Sequence, residues 1–242
     1  MTSDNMNHRT GCMICGKDLI YKDDVEDLLC LYCHRVIQGN VTCAEGHYIC
    51  DECHSASANA IIETYCINSN ETNPLELVVD LMNHPSVKMH GPEHHFLVPA
   101  VLLATFYNRK GTLEEKGEKI VEARGRAEKV LGGFCGTHGN CGAAVGTGIF
   151  LSLITDTTPL SIDSWKESNM MTAETLSLIA EHGGPRCCKR NAFLAIKQVS
   201  KYLGFDLDED IKCEFSQYNK ECRRKSCLFY KDIKSHQRRN LI

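Results

Sequence analysis

The sequence has no long hydrophobic run. Its most apolar stretches, near 96–106 and 142–154, are too short to cross a bilayer. Residues Met1 to Thr10 are polar and lack the apolar centre of a signal peptide. The expectation is a cytoplasmic protein with no membrane segment. Bulk charge of one sign is also missing. The net charge is only −4, so composition does not mark a nucleic-acid binder. Alternation of β-branched residues is scarce after residue 55, which argues against a sheet protein. A glycine-rich loop at 132–148 has no Walker lysine and no strand before it, which argues against a nucleotide loop.

What the chain does have is cysteine, fifteen in 242 residues. In a reducing compartment this density means metal ligation or thiol chemistry rather than a disulfide scaffold. Eight ligand-type residues fall in the first 53 positions as four pairs: Cys12/Cys15, Cys30/Cys33, Cys43/His47 and Cys50/Cys53. Two tetrahedral metal sites need eight such ligands, and a short C-x2-C loop places two thiolates about one metal. Residues 1–55 therefore read as a small zinc-stapled module holding two zinc ions. A domain of this size cannot bury enough apolar surface to fold alone. With all four positions of each site filled by protein, the zinc is structural rather than catalytic. His54 reads as a surface residue.

The stretch Cys43-Ala-Glu-Gly-His47-Tyr-Ile-Cys50-Asp-Glu-Cys53 resembles the middle of a RING-type zinc domain, with Cys30-x2-Cys33 ahead of it. No C-x2-C follows Cys53, so the remaining pair is taken from Cys12 and Cys15. Two pairings stay open. A cross-braced one puts Cys30, Cys33, Cys50 and Cys53 on one zinc and Cys12, Cys15, Cys43 and His47 on the other. A sequential one takes the pairs in chain order, as a ribbon followed by a knuckle.

Residues 56–242 read as a cysteine-rich helical bundle, so the fold class is mainly α. Helices are expected over 55–67, 74–83, 92–108, 112–131, 141–154, 161–168, 172–182 and 187–203. Three constellations in this domain carry candidate chemistry. The first is Lys88-Met-His90-Gly-Pro-Glu93-His94-His95. His90-x2-Glu93-His94 matches the H-x-x-E-H pattern of some zinc peptidases, but that chemistry needs one regular helix and Gly91-Pro92 interrupts it. The preferred reading is a helix N-terminus that favours an anion, with a histidine as base or metal ligand. The second is Gly132-Gly-Phe-Cys135-Gly-Thr-His138-Gly-Asn-Cys141-Gly. Five glycines lie between 132 and 142, framed by two cysteines and leading into an apolar helix. Gly142, Gly146 and Gly148 allow a second helix or a cofactor to pack closely.

The third is Gly183-Gly-Pro-Arg186-Cys187-Cys188-Lys189-Arg190-Asn191. It places two cysteines at a helix start beside three cations, where dipole and charge favour thiolate. Adjacent positions on a helix point about 100° apart, so one cysteine can ligate a metal while the other acts as nucleophile or sulfur carrier. Arg186, Lys189, Arg190 and Asn191 are the candidate binders of a substrate carboxylate or phosphate. Downstream, Cys213-x8-Cys222-x4-Cys227 suits a third metal site or a ligand set completed elsewhere in the chain. Cys66 stands alone and reads as buried.

Read together, Cys141-Gly-Ala-Ala-Val-Gly-Thr-Gly and Gly183-Gly-Pro-Arg-Cys187-Cys188-Lys-Arg190-Asn191-Ala resemble the iron–sulfur serine dehydratases and cysteine desulfidases. That resemblance implies a 4Fe-4S cluster whose open iron polarises a leaving group. Its ligands would be Cys141 with Cys187 or Cys188, and Cys135 or the second of the adjacent pair would complete the set. Most of the chain also resembles an uncharacterised cysteine-rich family found alone or joined to methyltransferases. The expectation is lyase or sulfur-transfer chemistry on a small anionic substrate, with His90, Glu93, His94 and His138 near Cys187 and Cys188. Two other readings remain: a zinc-stabilised adaptor and a cysteine redox or persulfide relay. The adaptor would bind a protein or RNA through the basic segment containing Arg223, Arg224, Lys225, Lys231, Lys234, Arg238 and Arg239.

Overall fold

A computed structural model of the protein describes residues 12, 14, 15, 17–50, 53, 57–207 and 211–231. Met1–Thr10, His54, Lys234, Arg238 and Arg239 lie outside the described residues. The chain opens with an antiparallel hairpin, β1 (Leu19–Leu29) and β2 (Val36–Cys43). Leu19 pairs with Cys43 and Leu29 with Val36, and a bulge separates Tyr21 from Glu26. Most of β1 is exposed, so apolar burial does not hold the hairpin. Cys30 and Cys33 sit in its tip, where Cys30 N–H donates to Arg35 O at 2.9 Å, and Cys43 ends β2. This hairpin was not expected from the sequence. Its charged, bulged β1 carries no two-residue alternation to announce it.

The rest is helical: α1 (Ala58–Asn68), α2 (Pro74–Asn83), α3 (Glu93–Lys110), α4 (Leu113–Ala127), the one-turn α5 (Phe134–Thr137), α6 (Gly142–Ile154), α7 (Asp163–Glu181) and α8 (Cys188–Tyr202). A single 3-10 turn, Arg224–Ser226, follows. Local chemistry sets several ends. Ser57 caps α1 by accepting from Ala60 N, and Asn73 caps α2 by accepting from Leu75 N with Pro74 at the first helical position. Gly111 and Gly204 turn the chain after α3 and α8 at φ 74° and 69°.

Two expected boundaries were wrong. Residues 161–168 and 172–182 form one helix, α7. Asn169, in the gap expected between them, instead donates to Trp165 O inside the helix at 2.8 Å. α4 stops at Ala127 rather than Leu131. Beyond it Val130 O accepts from His95 Nδ1 at 2.9 Å.

α3 lies at the centre. It is buried on nearly every side, from Phe96 to Tyr107, and α1, α2, α4, α6 and α8 pack around it. Pro99 sits inside it, with no N–H to offer to His95 O. α6 crosses at that point through Gly146. A Cβ there would lie 2.9 Å from Pro99 Cδ and 3.1 Å from His95 O. At Gly142 a Cβ would fall within the His95 ring, and at Gly148 it would meet Thr172 Oγ1. These glycines serve close packing on α3 and α7. The hairpin tip reaches the helices through Tyr32, which is buried and makes edge contacts with Tyr65 and His84 at centroid distances of 5.4 and 4.7 Å.

Candidate metal sites and thiol centre

Two groups of side chains could each hold one metal ion. Cys12, Cys15, Cys43 and His47 form one, and Cys30, Cys33, Cys50 and Cys53 the other, with the ligand atoms of each within 4.8 Å of one another. In the first, Cys15 Sγ lies 3.7 Å from Cys43 Sγ, while His47 Nδ1 lies 3.7 Å from Cys12 Sγ and 3.4 Å from Cys43 Sγ. In the second, Cys33 Sγ and Cys50 Sγ are 3.8 Å apart. A tetrahedral zinc with 2.3 Å bonds to sulfur has an S···S edge of about 3.8 Å. The donor types and spacing therefore fit zinc.

The grouping is the cross-braced one, and the hairpin explains it. β2 carries the chain from the Cys30/Cys33 tip to Cys43, roughly 25 Å at 3.3 Å per residue. The segment after His47 then returns, with Leu31 N–H donating to Tyr48 O at 3.0 Å. Cys50 N–H donates to Cys30 Sγ at 3.4 Å. One group forms at each end of the hairpin. At Cys33, burial opposes ionisation, but hydrogen bonds from Arg35 and neighbouring thiols outweigh it and bring the thiol down to about 7. Burial raises Cys12, Cys50 and Cys53. A metal would displace those protons.

In the helical domain three helix N-termini meet. Cys141 is the N-cap of α6 and Cys187 that of α8, and Gly91 precedes the start of α3. Asn191 Nδ2 donates to Cys141 Sγ at 3.4 Å, and the Gly91 N–H lies close enough to the Cys188 thiol to favour its ionised form. Cys141 and Cys188 thus face one junction. Cys187 turns the other way, toward Asn219 Nδ2 at 3.8 Å and a cavity lined also by Cys213, Cys222 and Cys227. The thiolate expected at this helix start is not favoured without a metal. Desolvation outweighs the dipole and nearby cations, raising Cys187 and pushing Cys188 up to about 11.

The other expected residues divide. α3 begins at Glu93, so His90 lies outside it and the one-helix peptidase geometry does not form. His94 is fully buried. Its Nε2 donates to Lys88 O at 3.0 Å, its Nδ1 has no hydrogen bond, and burial holds its pKa down to about 3. His90 Nε2 donates to Asn219 Oδ1 at 3.3 Å. Glu93 accepts from Lys88 N–H at 2.8 Å. His138 is exposed, bonded to Thr137 and stacked on Phe134 within its own loop. Lys189, Arg190 and Asn191 are almost fully buried. Lys189 donates to Met82 O at 2.9 Å and Arg190 to Gly183 O at 2.8 Å. Of the four expected anion binders, only Arg186 is exposed. The cysteines expected to hold a 4Fe-4S cluster, Cys135, Cys141, Cys187 and Cys188, are not gathered into one tight group. Cys187 faces away from the junction, and Cys135 sits in the separate one-turn α5. Cys66 is buried in α1, as expected.

A family model described as "Family of unknown function (DUF5714)" matches residues 62–230, well over half of the chain. The chain belongs to this family. The DUF5714 match runs from within α1 to Tyr230. It spans every cysteine from Cys66 to Cys227 and none of the eight N-terminal ligand candidates. No curated protein and no solved structure matches the chain. No helix among the described residues is long and apolar enough to cross a membrane.

Asn219 was missed in the sequence although it bridges His90 and Cys187. Its only sequence signal is its place between Cys213 and Cys222, which names no partner.

Proposed function

We propose that the protein is a zinc-stapled metalloprotein whose helical domain carries a thiol centre at Cys141 and Cys188. That centre performs sulfur-transfer or lyase chemistry on a small anionic substrate. The observation that supports this reading is the meeting of three helix N-termini on these two thiols. Peptide N–H groups at helix starts favour an anion, and Arg186 stands exposed beside them. His90 keeps an unbonded Nδ1 in the adjoining turn, and it is the proton acceptor of the scheme. The eight N-terminal ligands hold two zinc ions in a structural role.

The test is to incubate protein prepared without oxygen with thiol- and hydroxy-amino acids and follow sulfide release, elimination product and cysteine persulfide. Wild type should turn over. Cys188→Ser and Cys141→Ser should each abolish turnover while retaining zinc. Turnover unchanged in both variants ends the proposal.

A second reading, a zinc-stabilised adaptor for a protein or RNA, draws on the burial of Lys189, Arg190 and Asn191, which are engaged within the fold. It predicts salt-sensitive RNA or protein binding, no turnover and zinc as the sole metal.

A further inference from the structure

We propose that Cys187, Cys213, Cys222 and Cys227 form a third, four-thiolate site for a zinc-class divalent ion, which pins the C-terminal segment to the start of α8. This inference does not depend on the thiol-centre reading.

The four cysteines line one cavity of about 20 Å³ together with Asn219, Phe215 and Phe229. A single water or ion needs roughly 10–15 Å³. Such a cavity lined by four soft donors suits one metal and is too small for an organic ligand. The four sulfurs are not drawn together as tightly as those of the N-terminal groups.

The surrounding backbone is already arranged for thiolates. Arg224 N–H donates to Cys222 Sγ at 3.3 Å, two residues on, and Ile14 N–H does the same to Cys12 Sγ at 3.4 Å in the N-terminal group. The backbone N–H groups of Phe215 and Arg190 lie near the Cys213 and Cys187 thiols and favour their ionised forms. Each such bond stabilises a sulfur that carries charge.

Charge balance points the same way. Lys189 is 2% exposed, lies over the Phe215 ring at 4.2 Å and donates to Met82 O. Among the described residues no carboxylate forms an ion pair with it. Glu93 is the nearby carboxylate that acts on it, without a direct ion pair, and a buried ammonium so weakly compensated is costly. Four thiolates around a divalent ion carry a net charge of −2 beside it, which supplies a counter-ion.

Segment 211–231 also needs a staple. Its only regular features are the Arg224–Ser226 turn and one bridge, Cys213 to Tyr230. It packs on the helices through Phe229, edge-on to Phe193 with centroids 5.3 Å apart, and through the buried Ile211 and Phe215. A loop with so little regular structure is what a metal commonly holds.

The test counts zinc per chain by native mass spectrometry on the full-length protein, prepared under reducing, oxygen-free conditions. Wild type should hold three ions. Cys222→Ser and Cys227→Ser should each hold one fewer, with unchanged helical circular dichroism, and Cys135→Ser should match wild type. Cys30→Ser should also lose one ion, but it reports on the N-terminal group and separates failure there from failure here. Cobalt substitution gives a second readout, because loss of one thiolate from the third site should weaken the sulfur-to-cobalt charge-transfer band. Unchanged metal counts in both Cys222→Ser and Cys227→Ser would overturn the proposal. A disulfide among the four cysteines in the reduced preparation would do the same.

Discussion

The hairpin module and the helical domain both bury cysteines, but for different reasons. In the module, Cys12, Cys30, Cys33, Cys43, Cys50 and Cys53 are among the few buried residues, and most of the hairpin around them is exposed. Remove the ligands and little would remain to hold it. In the helical domain the core is aliphatic and aromatic: Phe96, Leu97, Leu102, Phe150, Phe193 and their neighbours. There the cysteines other than Cys66 stand toward the edge, at helix starts, in the one-turn α5 and in the C-terminal loop. One region is organised by ligand geometry, the other by apolar packing. A cysteine's role is therefore best judged from what else could hold its surroundings in place.

The strongest way to break that contrast is to disable the two N-terminal ligand groups. Structural zinc contributes about 10–16 kcal/mol to small sites. Chelation or Cys30→Ser should therefore deprotect the amides of residues 19–43 in hydrogen exchange, while helical circular dichroism persists. If the helices melt together with the hairpin, the Tyr32 contact with Tyr65 and His84 couples the two regions into one cooperative unit.

The complementary change empties the apolar core. Phe150 is fully buried and packs edge-on against Phe106 at 5.9 Å. Phe150→Ala should cost about 3–5 kcal/mol in urea unfolding and leave the metal content unchanged. Gly148→Val tests the close crossing of α6 and α7, because a Cβ there already meets Thr172 Oγ1 and lies 3.1 Å from Ser168 O. A loss of about 1–3 kcal/mol is expected, again with metal retained. Smallest is Asn73→Ala, which removes the α2 cap to Leu75 N–H at 2.9 Å. Its effect should be about 1 kcal/mol, read as a lower midpoint in the same titration. If any of these three variants released zinc, the separation between the regions would fail.

Much of the helical domain was legible in the sequence. The Asn73-Pro74 start of α2, the apolar run of α6 and the glycine after α8 are local signals, and each element lies within a few residues of its expectation. The candidate thiol centre was legible only in part. That Cys187 and Cys188 would face different surroundings follows from helix geometry. That Cys187 looks toward Cys213, Cys222 and Cys227 while Cys188 looks toward Cys141 does not, because residues far apart in the chain supply those partners. The expected roles of Lys189, Arg190 and Asn191 changed for the same reason. Their charge and hydrogen-bonding capacity are visible in the sequence, but their burial is a property of the assembled helices.

Most of the helices and the supply of eight ligands in four short pairs were set by local sequence, since these depend on neighbours a few residues away. The tertiary structure alone decided which pairs share a site. Either pairing satisfies the spacing rules. The strand from the hairpin tip to Cys43 and the return past Tyr48 separate the two ends and bring Cys50 back to Cys30. The same holds for the C-terminal cysteines, whose fourth companion lies 26 residues before Cys213 on another element. Coordination and desolvation depend on distance in space, and the chain sets those distances only when it packs.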